Sequence, residues 1–130
     1  MKVTPLNSGS PWEGIVGYSR VVVRGDTAWV SGTTSAVGGV VRHPDDAAGQ
    51  TREALATIAA ALERAGFSLN DVVRTRMFVT DISRWEEIGR VHGEVFGDVR
   101  PASTMVQVSA LIDPAMLVEI EADAVRGAGA

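Results

Sequence analysis

Three acidic residues near the C-terminus are the clearest candidates for chemistry in this sequence. Glu119, Glu121 and Asp123 occupy alternate positions of the segment Leu117–Val125. In a β-strand this spacing places all three carboxylates on one face and the apolar residues between them on the other. Such carboxylates act as general acids or bases when they are partly buried, and otherwise form a solvated or salt-bridged surface. The residues alone favour the salt-bridged surface.

Two arginines offer partners for these carboxylates. Arg74 and Arg76 alternate in the same way along the predicted strand Val72–Thr80. If this strand lies beside the acidic one, ion pairs between the strands relieve the repulsion among the carboxylates. The pattern therefore predicts that Arg76 pairs with the acidic strand.

Other kinds of reactive site are absent from the sequence. The 130 residues contain no cysteine, which excludes thiolate catalysis and disulfides. There is no metal-spaced His/Asp cluster, no glycine-rich phosphate loop and no nucleophile elbow. His92 lies on the apolar stripe of a predicted helix, where a buried, hydrogen-bonded histidine is the ordinary interpretation and a catalytic base the alternative. We expect no metal and no cofactor.

Length and charge limit the class of protein. We expect residues 1–126 to form one domain and residues 127–130 to form a flexible tail. A formal net charge of −4 argues against salt-driven binding of nucleic acid. No apolar run approaches the ~20 residues that span a bilayer. We expect a cytoplasmic protein with neither a nucleic-acid nor a membrane partner.

Hydrophobic patterning predicts the elements that position these residues. One helix begins near Asp46 and ends before Gly66; a second opens with a capping box at Ser83–Glu86 and stops at Gly97. A short strand is expected near Val40. The longer predicted strands are Tyr18–Arg24, Thr27–Gly32, Val72–Thr80, Ser103–Leu111 and Leu117–Val125. This order predicts an α+β protein with a mixed sheet and helices on one face.

Four segments together carry a family resemblance: Tyr18-Ser19, Ser31-Gly32-Thr33, Arg100-Pro101-Ala102-Ser103-Thr104, and Leu117–Val125. Over about residues 15–126 the chain resembles the Rid family of RidA/YjgF-like imine and enamine deaminases. The resemblance implies a chorismate-mutase-like fold with two helices packed on one face of a mixed sheet. It also implies a homotrimer that holds a small-molecule substrate or ligand at its subunit interfaces.

The same resemblance implies roles for several residues. Glu119 matches the family glutamate that positions or activates water, and so is the expected catalytic residue. Tyr18 matches a tyrosine that borders the substrate pocket, and Gly32 matches a glycine whose backbone groups face the substrate. Glu121 and Asp123 keep the interpretation of a salt-bridged surface.

Ser103 stands where archetypal members have an arginine that binds the substrate carboxylate. A serine hydroxyl cannot reproduce the two-pronged contact between a guanidinium and a carboxylate. We therefore expect specificity to be shifted away from 2-iminoacids, unless Arg76 or Arg100 replaces the missing arginine. Ser103 becomes a candidate contact for an uncharged substrate group.

Three further residues complete the predicted substrate-binding site. Met105 stands where some relatives have cysteine, Gly89 where archetypal members often have asparagine, and His92 where they often have an aromatic residue. Glycine inside a helix costs about 1 kcal/mol relative to alanine, which indicates close packing or space for a ligand.

Three functions follow from the sequence, in order of preference. The first is an enzyme that hydrolyses or tautomerises a small imine or enamine, since Tyr18, Gly32 and Glu119 are retained. The second is a trimeric protein that binds or senses a small metabolite without turnover. The third is an endoribonuclease or translation inhibitor, which the acidic charge disfavours.

Overall fold

A computed structural model describes the backbone of residues 3–6 and the whole of residues 10–127. The strands in that part of the chain are β1 (Val3–Leu6), β2 (Val21–Arg24), β3 (Thr27–Thr33), β4 (Ala36–Val37), β5 (Val40–Val41), β6 (Val72–Val79), β7 (Ala102–Gln107) and β8 (Val118–Val125). The α-helices are α1 (Pro11–Val16), α2 (Ala47–Arg64) and α3 (Trp85–Phe96). Residues 128–130 of the predicted tail lie outside the described residues.

Six of these strands form one sheet in the order β1-β2-β3-β8-β6-β7, and β4 and β5 form a separate small hairpin. Every neighbouring pair in the large sheet is antiparallel except β6 and β7, which are parallel. The parallel pair exists because α3 carries the chain back across the sheet between these strands. The predicted mixed sheet is confirmed.

Helices α2 and α3 cover one face of the sheet, with the core between them. Along β8 the residues Val118, Ile120, Ala122 and Ala124 are buried on this face. The alternate residues of β8, Glu119, Glu121 and Asp123, therefore lie on the opposite face, as their spacing predicted. The helices contribute these buried apolar residues: Ala47, Ala54, Leu55, Ile58, Ala61, Leu62, Ile88, Val91 and Phe96.

Two features of the helices differ from the sequence prediction. Helix α1 was not predicted; Ser10 caps it in a reciprocal capping box with Glu13. The predicted capping role of Ser83 was wrong. Asp81 caps the helical segment instead, because its carboxylate accepts the N–H and the hydroxyl of Ser83, at 3.0 and 2.6 Å. A 3₁₀ turn over Ile82–Arg84 then leads into α3.

Candidate active site

A pocket of about 490 Å³ opens where the end of β3 meets the beginning of β8, beside α1. Its apolar wall is formed by Trp12, Val16, Ala36, Ile112 and Met116. Its ionisable and hydroxyl-bearing side chains include Tyr18, Arg20, Glu119 and Glu121. The volume falls in the range typical of small-molecule sites, which are mostly apolar with a few polar groups.

Gly32 makes room for the Glu119 carboxyl in this pocket. The pairing of β3 with β8 shifts register between Val30 and Thr33, so Gly32 lies at an irregular point of the strand. A Cβ atom on Gly32 would lie 2.6 Å from Oε2 of Glu119. Any larger residue at this position would displace the carboxyl group from its place.

The pocket alters the acidity of Glu119. Loss of solvation raises the pKa of this carboxyl above its usual value, the Arg20 guanidinium opposes that rise, and the Glu121 carboxylate adds to it. A raised pKa lets a carboxyl group hold a proton closer to neutral pH. Glu119 can therefore exchange protons with a bound molecule more readily than a solvated carboxylate can.

Arg20 connects the polar groups that line the pocket. Its side chain is 7% exposed. One terminal nitrogen donates to the Gly32 carbonyl at 2.5 Å and to the Thr33 hydroxyl at 2.9 Å. The other lies 3.4 Å from the Tyr18 hydroxyl and 3.8 Å from the carboxylate of Glu13. A buried charge needs such partners, and here they join α1 to the end of β3.

Gln50 holds the loop that supplies part of the apolar wall. This fully buried side chain donates to the Ala115 carbonyl at 2.9 Å and accepts from the Leu117 N–H at 2.8 Å. Because Met116 lies between these two residues, the α2 glutamine sets the position of Met116 in the pocket.

A second polar group lies on the helix-covered face, at the β7 edge of the sheet. It is a row of three side chains: His92 of α3, Thr75 of β6 and Ser103 of β7. Thr75 Oγ1 lies 2.8 Å from His92 Nε2 and 2.8 Å from Ser103 Oγ. Thr75 is fully buried, whereas Ser103 is exposed. The His92 ring packs against Phe96, with ring centroids 4.7 Å apart, and burial lowers its pKa. We call these three residues the His92–Thr75–Ser103 row.

Met105 and Gly89 flank this row. Met105 follows Ser103 by two residues on β7, so it shares the same face, and it packs against the core. The nearest atom to a Cβ built on Gly89 would be Cε3 of Trp85, at 3.9 Å. Gly89 therefore leaves space beside α3 rather than serving a close helix contact.

Two arginines could replace the arginine that is missing at position 103, but one is ion-paired and the other lies away from the pocket. Arg76 lies 3.2 Å from Glu121 and 3.3 Å from Asp123, which confirms its predicted pairing with the acidic strand. Arg100 is exposed, with a backbone φ of 52°, and does not line the pocket. In the single chain, Arg76 is therefore paired with the acidic strand and does not line the Glu119 pocket.

The single chain divides the predicted site residues into two places. Three line the pocket: Tyr18, Gly32 and Glu119. Four lie around α3 and β7: Ser103, Met105, Gly89 and His92. Their roles in binding and catalysis stay predictions.

Sequence reasoning missed Arg20 and Thr75. Arg20 follows Tyr18 by two residues, so the period of an extended chain could have placed both on one side of the pocket. Thr75 stands at a core-facing position of β6, where a polar side chain requires a partner.

Among residues 10–127, no three His, Asp or Glu side chains converge as a metal site would require. Within the described residues, no helix has the length and apolar character of a membrane span.

The fold and the carboxylate pocket define a small α+β protein with a candidate site on its sheet. Comparison with known families identifies the group: the family model described as Endoribonuclease L-PSP matches residues 10–126. The chain belongs to this family, which confirms the predicted Rid, or YjgF, relationship.

Individual relatives agree with this assignment. The crystal structure of Rv2704 from Mycobacterium tuberculosis, of the YjgF/YER057c/UK114 family, is 53% identical with a TM-score of 0.87, over 95% of this chain and 99% of that one. The protein SCO2049 of Streptomyces coelicolor is 37% identical over 97% of this chain and 94% of its own length. The 3-aminoacrylate deaminase RutC of Acinetobacter baylyi is 44% identical over 62% of this chain and 63% of its own length.

Proposed function

We propose that this protein hydrolyses a small imine or enamine, releasing ammonia and a carbonyl compound. The observation that carries the proposal is the Glu119 carboxyl, held over Gly32 in a largely apolar pocket with a raised pKa. RutC, whose name describes the deamination of an enamine, supports the same class of reaction.

The proposed chemistry needs one group that takes and returns a proton. As the oxygen of water attacks the imine carbon, the Glu119 carboxylate accepts a proton from that water and the imine nitrogen takes up one proton from solvent, giving a carbinolamine. Protonated Glu119 then gives its proton to the amine nitrogen. The C–N bond breaks as ammonia leaves, and the hydroxyl group releases its proton to solvent to form the C=O bond. An enamine enters the sequence after protonation at its carbon.

We further propose that the preferred substrate has no carboxylate. The pocket-lining carboxylates of Glu119 and Glu121 repel an anion, and the Arg20 guanidinium is engaged with backbone and side-chain groups. Ser103 replaces the guanidinium expected at its position. The 3-aminoacrylate of RutC does carry a carboxylate, so that relative supports the type of reaction and not this specificity.

The proposal includes a homotrimer whose clefts unite the two groups of residues. Within one chain, Ser103 does not line the Glu119 pocket. The open face of the sheet also exposes apolar side chains, including Trp29, 45% exposed, and Val106, 42% exposed. Contact with a second copy would bury such surface and add residues to the pocket. Sedimentation equilibrium of the purified protein tests the predicted mass of three chains.

Two matched imines test the reaction. An amino-acid oxidase acting on L-phenylalanine and an amine oxidase acting on 2-phenylethylamine generate imines that differ only in the carboxylate. The measured quantity is the rate of imine loss, with spontaneous hydrolysis subtracted. We expect turnover of the uncharged aldimine, and a fall of about 100-fold or more in Glu119→Gln, as expected for loss of a general acid–base group.

Glu63→Gln provides the matched control, because it is the same change at an exposed position of α2, outside the pocket. It should retain wild-type turnover. Saturable binding of the imine's product without turnover would instead favour the metabolite-binding function. Equal rates for Glu119→Gln and the wild-type protein would overturn the assignment of Glu119.

A further inference from the structure

The His92–Thr75–Ser103 row links a half-buried ring to the protein surface through hydroxyl groups. Thr75 Oγ1 is 2.8 Å from His92 Nε2 and 2.8 Å from Ser103 Oγ. Thr75 is fully buried, and Ser103 at the outer end of the row is exposed on edge strand β7. The row therefore ends in a hydroxyl group that a ligand can reach.

The protons in this row allow two arrangements. The Thr75 hydroxyl has one hydrogen and two neighbours, so it donates to one and accepts from the other. If it donates to Ser103, then His92 donates from Nε2, and the Ser103 hydrogen is free to point outward. If it donates to His92 Nε2, then Ser103 must donate inward, and only its lone pairs face outward.

We propose that this row is a hydrogen-bond relay, in which the tautomer of His92 sets whether Ser103 donates to or accepts from an uncharged polar group of a ligand. A carbonyl, hydroxyl or amide group fits such a site, since no member of the relay needs a charge in either arrangement. The assignment of that ligand as the substrate rests on the function proposed above.

Three features argue that the row does more than satisfy buried atoms. Thr75 would already have a partner in His92, so the Ser103 hydroxyl is not required to satisfy it. The Phe96 ring packs against the His92 ring at a tilt of 44°, with one nitrogen of the imidazole facing Thr75. Burial favours the neutral imidazole, whose two tautomers correspond to the two arrangements. Ser103 thus becomes a positioning group with adjustable polarity.

Nitrogen-15 NMR of the His92 ring tests the relay directly. The probe is phenylacetamide, an uncharged amide, with phenylacetate as its charged counterpart. We expect phenylacetamide to shift the balance between the Nδ1–H and Nε2–H tautomers of the wild-type protein. The shift should disappear in Ser103→Ala, where the outer hydroxyl is lost, and in Thr75→Val, where the connection is cut. Phenylacetate should leave the wild-type ring signals unchanged.

Kinetics with the uncharged aldimine provide the second readout. Loss of one neutral hydrogen bond should raise KM about threefold to tenfold in Ser103→Ala while kcat changes less than about twofold. The double variant with Thr75→Val should lose less than the sum of the two single changes, because both changes act on the same relay. Ser109→Ala removes a hydroxyl from another exposed serine, and it should behave as the wild-type protein does.

The NMR and kinetic experiments together distinguish failure of the relay from failure of the proposed function. If phenylacetamide shifts the His92 tautomer but no imine is turned over, the relay stands and the deaminase function falls. If phenylacetamide leaves the ring signals unchanged, or if Ser103→Ala still shows the shift, the relay is overturned even in an active enzyme. Ser103→Ala carries this decision should Thr75→Val fail to fold.

Discussion

The Glu119 pocket and the His92–Thr75–Ser103 row place polar groups on the same sheet in opposite ways. The pocket partly buries the carboxyl groups of Glu119 and Glu121 and balances them with Arg20, which is 7% exposed. The row contains a neutral ring and two hydroxyl groups, with 2.8 Å between neighbours. The comparison separates two tasks: charged groups with altered acidity suit proton transfer, whereas neutral hydrogen-bonding groups suit selection of a ligand.

The positive charge of Arg20 offsets only part of the rise in the pKa of Glu119. Arg20 lowers the pKa of Glu119, yet loss of solvation outweighs it and the net shift is upward. A carboxylate fully compensated by an arginine would have a lowered pKa and would hold no proton near neutrality. One terminal nitrogen of Arg20 donates to Gly32 and Thr33, which holds the end of β3 beside Glu119.

The largest expected effect comes from removing the charge that organises the pocket. Arg20→Met leaves the buried Glu13 carboxylate without its arginine and the Gly32 carbonyl without its donor. We expect a loss of about 3–5 kcal/mol in the free energy of unfolding, measured by urea denaturation. Arg24→Met, at the exposed end of β2, should change stability by less than about 0.5 kcal/mol. Similar losses in the two variants would contradict the role of Arg20.

The next effect concerns the position of the Glu119 carboxyl. In Gly32→Ala the new methyl group would lie 2.6 Å from Oε2 of Glu119, and the flexible end of the side chain must move away. We expect stability to change little, while kcat/KM on the uncharged aldimine falls about 100-fold, as for a misplaced catalytic group.

Gly93→Ala is the control for that prediction. A Cβ at Gly93 meets no atom within 4 Å outside its own helix, so alanine should stabilise α3 by up to about 1 kcal/mol and leave kcat/KM unchanged. An unchanged rate in Gly32→Ala would show that the close approach of Gly32 and Glu119 has no catalytic purpose.

A smaller effect follows from the acidity of Glu119. Its pKa in the folded protein lies above the usual 4.5, so ionisation of Glu119 opposes folding. The associated stability is fully present below the unfolded-state pKa and is lost as the pH rises through the folded-state value. Glu119→Gln should therefore raise Tm at pH 8 and leave it nearly unchanged at pH 3. A lower Tm at pH 8 would mean that Arg20 favours the charged form overall.

The smallest effect belongs to the ion pairs of the open face. Arg76 is 40% exposed and its partners, Glu121 and Asp123, are each at least one-quarter exposed. Arg76→Gln should cost about 1 kcal/mol or less in urea denaturation, and the difference from the wild-type protein should shrink in 1 M NaCl. A loss that persists at high salt would indicate a packing role for the arginine.

The sequence predicted those features of the two regions that follow from alternation along a strand, and missed those that depend on tertiary packing. The period of two along β8 placed Glu119 opposite the core, and the pairing of Arg76 with Glu121 followed from the same rule. The contacts of Arg20 in the pocket could not be predicted in this way, because Arg20 reaches the end of β3 only through the β2–β3 pairing and the register shift before Thr33. Likewise, Thr75 meets His92 and Ser103 only when three elements distant in sequence pack together.

The measurement that tests the division of tasks most directly is the specificity of wild type and Ser103→Arg on the phenylalanine-derived 2-iminoacid and the phenylethylamine-derived aldimine. We predict that the wild-type protein prefers the aldimine, and that Ser103→Arg raises kcat/KM on the 2-iminoacid by about tenfold or more through the new guanidinium contact. Ser109→Arg should leave both rates unchanged. Equal wild-type turnover of the two imines, with no response to Ser103→Arg, would contradict the account.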